Sequence, residues 1–171
     1  MSTKELPNNL FEGNEWVLPS SFDMIPLVTD ELEKRWLASG WDKGNSSDYE
    51  NPIPAMLDGL SDALDNAIVH GSFGIEEKDP EESWRSAIKR LNLKTDKKIK
   101  IRVDIYSDKT EITIQDEGKG FDPATVPDPT SLENILKGSG RGLLFMRSAY
   151  DEVIFNKENK TVTLINNKKS P

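Results

Sequence analysis

An α+β domain is predicted by two observations. Apolar residues recur at helical spacing from Phe22 to Ser39, from Ile53 to His70 and from Trp84 to Leu91. Two pairs of period-two runs, Ile99–Ile114 and Val153–Ile165, read instead as β-hairpins. The 171 residues suit one ordinary domain with its own core.

The elements follow in order. Residues 1–14 are polar and expected to be flexible, and a single domain is expected over 15–167. Glu15-Trp-Val-Leu reads as a short strand. Pro19-Ser-Ser can cap a helix in which Phe22, Ile25, Val28, Leu32 and Trp36 form the packed face, with Gly40 at its end. Trp41 to Pro52 reads as a polar loop. In the next helix Leu57, Leu60, Leu64, Ala67 and Ile68 share one face, Asp62 and Asn66 lie on the other, and Gly71 is the expected stop. Asp79-Pro80 reads as the capped start of a third helix with Trp84, Ala87, Ile88 and Leu91 inward. In the first hairpin Ile99, Ile101, Val103 and Ile105 alternate with polar residues, and Asp116 ends its second strand. A loop rich in Gly and Pro follows, then a helix from about Gly142 to Tyr150, and Lys157-Glu-Asn-Lys turns the final hairpin.

Composition narrows the function. With no cysteine and one histidine, disulfides, thiolate zinc sites and multi-histidine metal sites are excluded. The amino-terminal residues lack the apolar run of a signal peptide, and no stretch is long and apolar enough to span a bilayer, so a cytoplasmic protein without a membrane partner is expected. A formal charge of −8 opposes a phosphate backbone and argues against nucleic acid as a partner. A small nucleotide needs only a local site.

Three segments can carry chemistry. Asp62 and Asn66, four apart, leave one helix face about a turn from each other. An amide oxygen there can share a magnesium ion with phosphate oxygens, and the carboxylate can accept a proton from an attacking nucleophile. Equally, both can lie on a solvated helix face. Asp116-Glu-Gly118-Lys-Gly120 follows a strand, and its glycines allow either a plain turn or close approach to a flat ligand whose exocyclic amine Asp116 would accept. Gly138-Ser139-Gly140-Arg141-Gly142-Leu143 places open N–H groups before a helix, suited to phosphates or simply to a linker.

Taken together and in this order, these segments resemble the N, G1 and G2 boxes of the GHKL superfamily: Asp62-Ala-Leu-Asp-Asn66-Ala-Ile-Val-His70-Gly71, Asp116-Glu-Gly-Lys-Gly120 and Gly138-Ser-Gly-Arg-Gly142. The Asn-Ala-x-x-His-Gly ending, the short spacing between the last two boxes and the lack of a dimerisation helix are most similar to the anti-sigma-factor serine/threonine kinases. The resemblance implies a Bergerat ATP-binding fold, a two-layer α/β sandwich with a mixed, mostly antiparallel sheet covered on one face by helices. It also implies a regulatory kinase that transfers the ATP γ-phosphate to a serine of a STAS-type antagonist and captures a sigma factor, and it leaves homodimer formation open. Under it, Asn66 would coordinate Mg2+, Asp62 would be catalytic, and Asp116 would bind the adenine amine. Gly118, Gly120, Gly138, Ser139, Gly140, Arg141, Gly142 and Leu143 would surround the nucleotide, His70 would either stand beside it or bond the carbonyls of its helix's last turn, and Phe121 to Lys137 would be the ATP lid.

Two departures stand out. Asp62 occupies the position where the family's kinases carry glutamate, a carboxylate retracted by one bond of roughly 1.5 Å. A misplacement of about 1 Å can cost around a hundredfold in rate, which makes a non-catalytic ATP-sensing module the alternative. Asp65 is a spare carboxylate on a different face. The helical stretch 73–98 is longer than the link expected in that branch, and reads as a surface insertion, with partner docking as the other reading. Histidine kinase activity is not expected, because the sole histidine belongs to the N box.

Overall fold

The computed structural model describes residues 9–43, 50–75, 82–118 and 141–168. Five strands are present among them: β1 (Glu15–Pro19), β2 (Lys98–Ile105), β3 (Lys109–Asp116), β4 (Glu152–Asn156) and β5 (Thr161–Asn167). They form one sheet in the order β1-β2-β3-β5-β4, and every pairing is antiparallel. The helices are α1 (Met24–Ala38), α2 (Ile53–Asn66), α3 (Trp84–Arg90) and α4 (Arg141–Ala149). The α+β class expected from the sequence stands.

Alternation along the strands determines which face the helices cover. Ile99, Ile101 and Val103 on β2, Ile112 and Ile114 on β3, and Leu164 on β5 are buried, and they join Val28, Leu32, Trp36, Met56, Leu60 and Leu64 of the helices in one core. Val17 and Ile154 point from the uncovered face and are about half exposed. Trp36 is buried without an orphaned donor, because its indole N–H donates to the buried Thr110 hydroxyl at 3.2 Å. No helix among the described residues is long and apolar enough to cross a membrane.

Local details depart from the sequence reading. The amino-terminal stretch is tied down from Asn9 onward rather than free. Arg35 donates to the carbonyls of Phe11 and Gly13 at 2.6 and 2.7 Å, Asn14 donates to Asp104, and Leu10 and Phe11 pack on the core. Serine does not cap α1 in the expected way. Asp23 occupies the N-cap position in a helical conformation, and the Ser21 hydroxyl only accepts from its N–H at 3.3 Å. Trp41, in the expected polar loop, is buried.

The largest correction concerns Gly71. The chain does not stop there but widens into a π-helical turn, Ala67–Phe73, which ends at Gly74 in the left-handed region at φ 67°. Gly71 serves a different need. A Cβ on it would stand 2.4 Å from the Asp116 carboxyl carbon, so a side chain there would displace the end of β3.

The third helix also starts later than Asp79-Pro80 suggests, with Ser83 as its N-cap accepting from the Ser86 N–H at 3.1 Å. Ala87 is fully buried and Trp84 and Ile88 are partly so, but Leu91 is exposed rather than inward. The expected lid at 121–137 lies outside the described residues.

Candidate functional site

A cleft opens between α2 with its π turn, the end of β3, α4 and the β4–β5 turn. Its apolar walls are Ala63, Ala67, Ile114, Met146, Phe155 and Val162, and its polar groups are Asn66, His70, Asp116, Lys160 and Thr161. A mostly apolar slot with a few convergent polar atoms is the chemistry that a flat heteroaromatic ring with one exocyclic amine requires.

Asp116 is positioned by two glycines. Its Oδ1 accepts the Gly118 N–H at 2.7 Å, and its side chain fills the space that a Cβ on Gly71 would take. Gly118 is equally obligatory, since a Cβ there would stand 2.0 Å from the Gly71 carbonyl oxygen. With Oδ1 occupied by a donor, Oδ2 is the oxygen that could accept from a ligand, given its partners among the described residues. Burial raises the pKa of Asp116, opposed by the Gly118 N–H and by the charges of Lys160 and Lys97.

Asp62 and Asn66 meet the start of α4. A Cβ on Gly142 would lie 3.5 Å from Asp62 Cβ, 3.6 Å from its carboxyl carbon and 3.7 Å from Asn66 Nδ2. The face that the helical wheel assigns to solvent is therefore half-buried against the positive end of another helix. The close approach is set further along the two helices. A Cβ on Gly59 would meet Ala149 Cβ at 2.9 Å, and the Tyr150 hydroxyl donates to the Met56 carbonyl at 2.7 Å.

Burial, followed by the nearby Asp58 charge, raises the pKa of Asp62 and makes it a stronger proton acceptor than a solvated aspartate. Asp65 is perturbed more. Burial and then the Asp62 charge push it up to about 6, against the opposing charge of Arg85.

The other residues fall out as follows. His70 lines the cleft, but its Nδ1 is 2.6 Å from the Ile75 carbonyl, which can only accept, so Nδ1 carries the proton. Its ring meets Trp84 edge-on at 5.2 Å. Arg141 opens α4, and the Leu143 side chain enters the core, which leaves only its backbone for a ligand. Gly120, Gly138, Ser139 and Gly140 lie outside the described residues. Sequence reasoning missed Lys160, Thr161, Phe155 and Met146. Lys160 holds φ 55° in the turn, and its carbonyl accepts the Asp116 N–H at 3.2 Å. The strand alternation of Thr161-Val162 predicts a surface but not which cleft it lines.

Among the described residues no three His, Asp or Glu side chains cluster to hold a metal. A cation at Asn66 therefore needs oxygens brought by a ligand.

The model of one protein family, described as the histidine kinase-like ATPase domain, matches residues 59–166. No curated protein matches the chain.

Proposed function

Since the chain belongs to the histidine kinase-like ATPase domain family, we propose that its ATP-binding domain acts as a regulatory serine/threonine kinase of the anti-sigma-factor type. The observation that supports this reading is the placement of Asp62 and Asn66 beside Gly142 at the start of α4, with Asp116 across the adjoining cleft. Asp116 Oδ2 would accept the adenine amine while Ile114, Met146 and Val162 cover the ring. The N–H groups at the start of α4 would receive the phosphates.

Magnesium bound through Asn66 and phosphate oxygens would offset the negative charge that develops on the transferred group. Asp62 would take the proton of a partner's serine hydroxyl as that oxygen bonds to the γ-phosphorus and the bond to ADP breaks. Its raised pKa favours proton acceptance at neutral pH.

A transfer assay with radiolabelled ATP and STAS-type antagonists tests the kinase reading. Label on serine, lost in Asp62→Asn while calorimetry shows ATP affinity within a few-fold of wild type, is the expected result. ATP binding without label transfer removes the kinase activity and leaves the second reading, a non-catalytic ATP-sensing module. The shorter carboxylate of Asp62 favours that second reading.

A further inference from the structure

The stretch Trp84–Arg102 holds eight of the chain's 22 basic residues and only one of its 30 acidic residues, Asp96. In a protein of net charge −8 this stretch of sequence is net positive, and it follows the acidic run 76–82. Most of these cations are used internally. Arg85 pairs with Asp23, Arg90 with Glu82, Lys100 with Glu15 and Arg102 with Asp104, and the Lys97 ammonium donates to the Ser72 carbonyl at 2.9 Å. Lys89 and Lys94 are exposed and have no ion-pair partner among the described residues.

Between these two lysines the chain makes a rigid turn. The Asn92 N–H donates to the Lys89 carbonyl and the Leu93 N–H to the Ile88 carbonyl, both at 3.1 Å, with Asn92 in the left-handed region at φ 49°. This is the Schellman ending of α3. It presents Leu91 at 46% and Leu93 at 38% exposure, flanked in sequence by Lys89 and Lys94. The helix beneath is anchored by fully buried Ala87, by Trp84 on His70 and by Arg85 against the Phe22 ring.

We propose that the α3 C-terminal turn, Lys89 to Lys94, is a docking surface for an acidic protein segment that carries apolar side chains. The leucines would supply the desolvated anchor, and Lys89 and Lys94 would select for carboxylates flanking it. The remainder of this chain is net acidic and disfavours such a segment. The surface does not depend on the nucleotide reading, because it lies outside the cleft and needs no ATP.

Fluorescence anisotropy tests it with the full chain and a fluorescein-labelled peptide bearing glutamates and leucines at amphipathic helical spacing. The expected result is saturable binding without ATP, weakened about tenfold or more both by Lys89→Glu with Lys94→Glu and, independently, by Leu91→Ser with Leu93→Ser. The same peptide with serines for its leucines, or with lysines for its glutamates, should bind at least as weakly. Absence of binding by the glutamate-leucine peptide overturns the proposal, as do variants that bind it like wild type. Equal binding of the serine peptide or of single-stranded DNA would mean a general polyanion surface, which also overturns it. A sedimentation shift from dimer to monomer in the lysine variant would assign the surface to a second copy of this chain and would do the same.

Discussion

Asp116 shows how much one carboxylate can be constrained by its neighbours. Its Oδ1 accepts the Gly118 N–H, and under the proposed function its other oxygen would accept the ligand amine. In Asp116→Asn the amide oxygen would keep the Gly118 bond and turn the NH2 toward the ligand, so that two donors face each other. ATP affinity should fall by about 2 kcal/mol or more, roughly thirty-fold in Kd, as read by calorimetry. Asp65 provides a separate test of burial. Its pKa is about 6 in the folded protein against 3.8 for an ordinary aspartate, so the folded state holds a proton that the unfolded chain releases. Stability on its account is greatest below pH 4 and declines as pH rises to about 6. Asp65→Asn should therefore stabilise the protein at pH 7.5 by about 1 kcal/mol, after allowance for solvent and Arg85, with the gain shrinking toward pH 5. Denaturant titrations of both proteins at the two pH values check the sign.

At the scale of elements, the site is made by glycines at points of contact. Gly71 lets the π turn lie against the end of β3, Gly118 lets the following loop lie against the π turn, and Gly59 lets α2 lie against α4. Gly71→Ala would drive a methyl into the Asp116 carboxyl, and overpacking of this kind costs about 1–3 kcal/mol. It should also weaken ATP binding more than Gly74→Ala, a substitution with open space around it but a strained φ of 67°. Comparing urea midpoints with ATP affinities for the two variants separates loss of the site from loss of stability. Tyr150→Phe removes the bond between the end of α4 and the Met56 carbonyl and should cost about 1 kcal/mol, with the nucleotide cleft otherwise kept.

For the whole molecule, nucleotide binding and folding are linked. ATP at about a hundred times its Kd should raise the unfolding free energy by about 2.7 kcal/mol, because only the folded chain assembles the cleft. For a domain of this size that corresponds to a rise in Tm of roughly 5–10 °C in a thermal-shift measurement. Asn66→Ala should remove the part of the shift that depends on magnesium and leave the part seen in EDTA. An equal shift for wild type with and without the metal would count against a role for Asn66 in holding it.

Periodicity was enough for the main strands and helices, though not for the π turn or the start of α3. Alternation in Ile99–Ile105 and in the final hairpin specified antiparallel strands, and the spacing of Leu57, Leu60 and Leu64 specified a helix, because burial on one side imposes periods of two and 3.6. The candidate site residues are chosen through the resemblance of three short segments to a family's boxes, since type and order within a segment are legible in one dimension. What they face is not. Gly71 reads as a helix stop until Asp116 packs on it, and Asp62 and Asn66 read as solvent-facing until Gly142 closes over them. Lys160 and Phe155 reach the cleft because β5 pairs with β3, and Met146 because α4 packs on α2. Local sequence determines which backbone conformation a segment favours and which of its sides is apolar. Contacts between distant segments decide which polar groups are desolvated together, and with them the pKa values and the free acceptor on which the proposed chemistry depends.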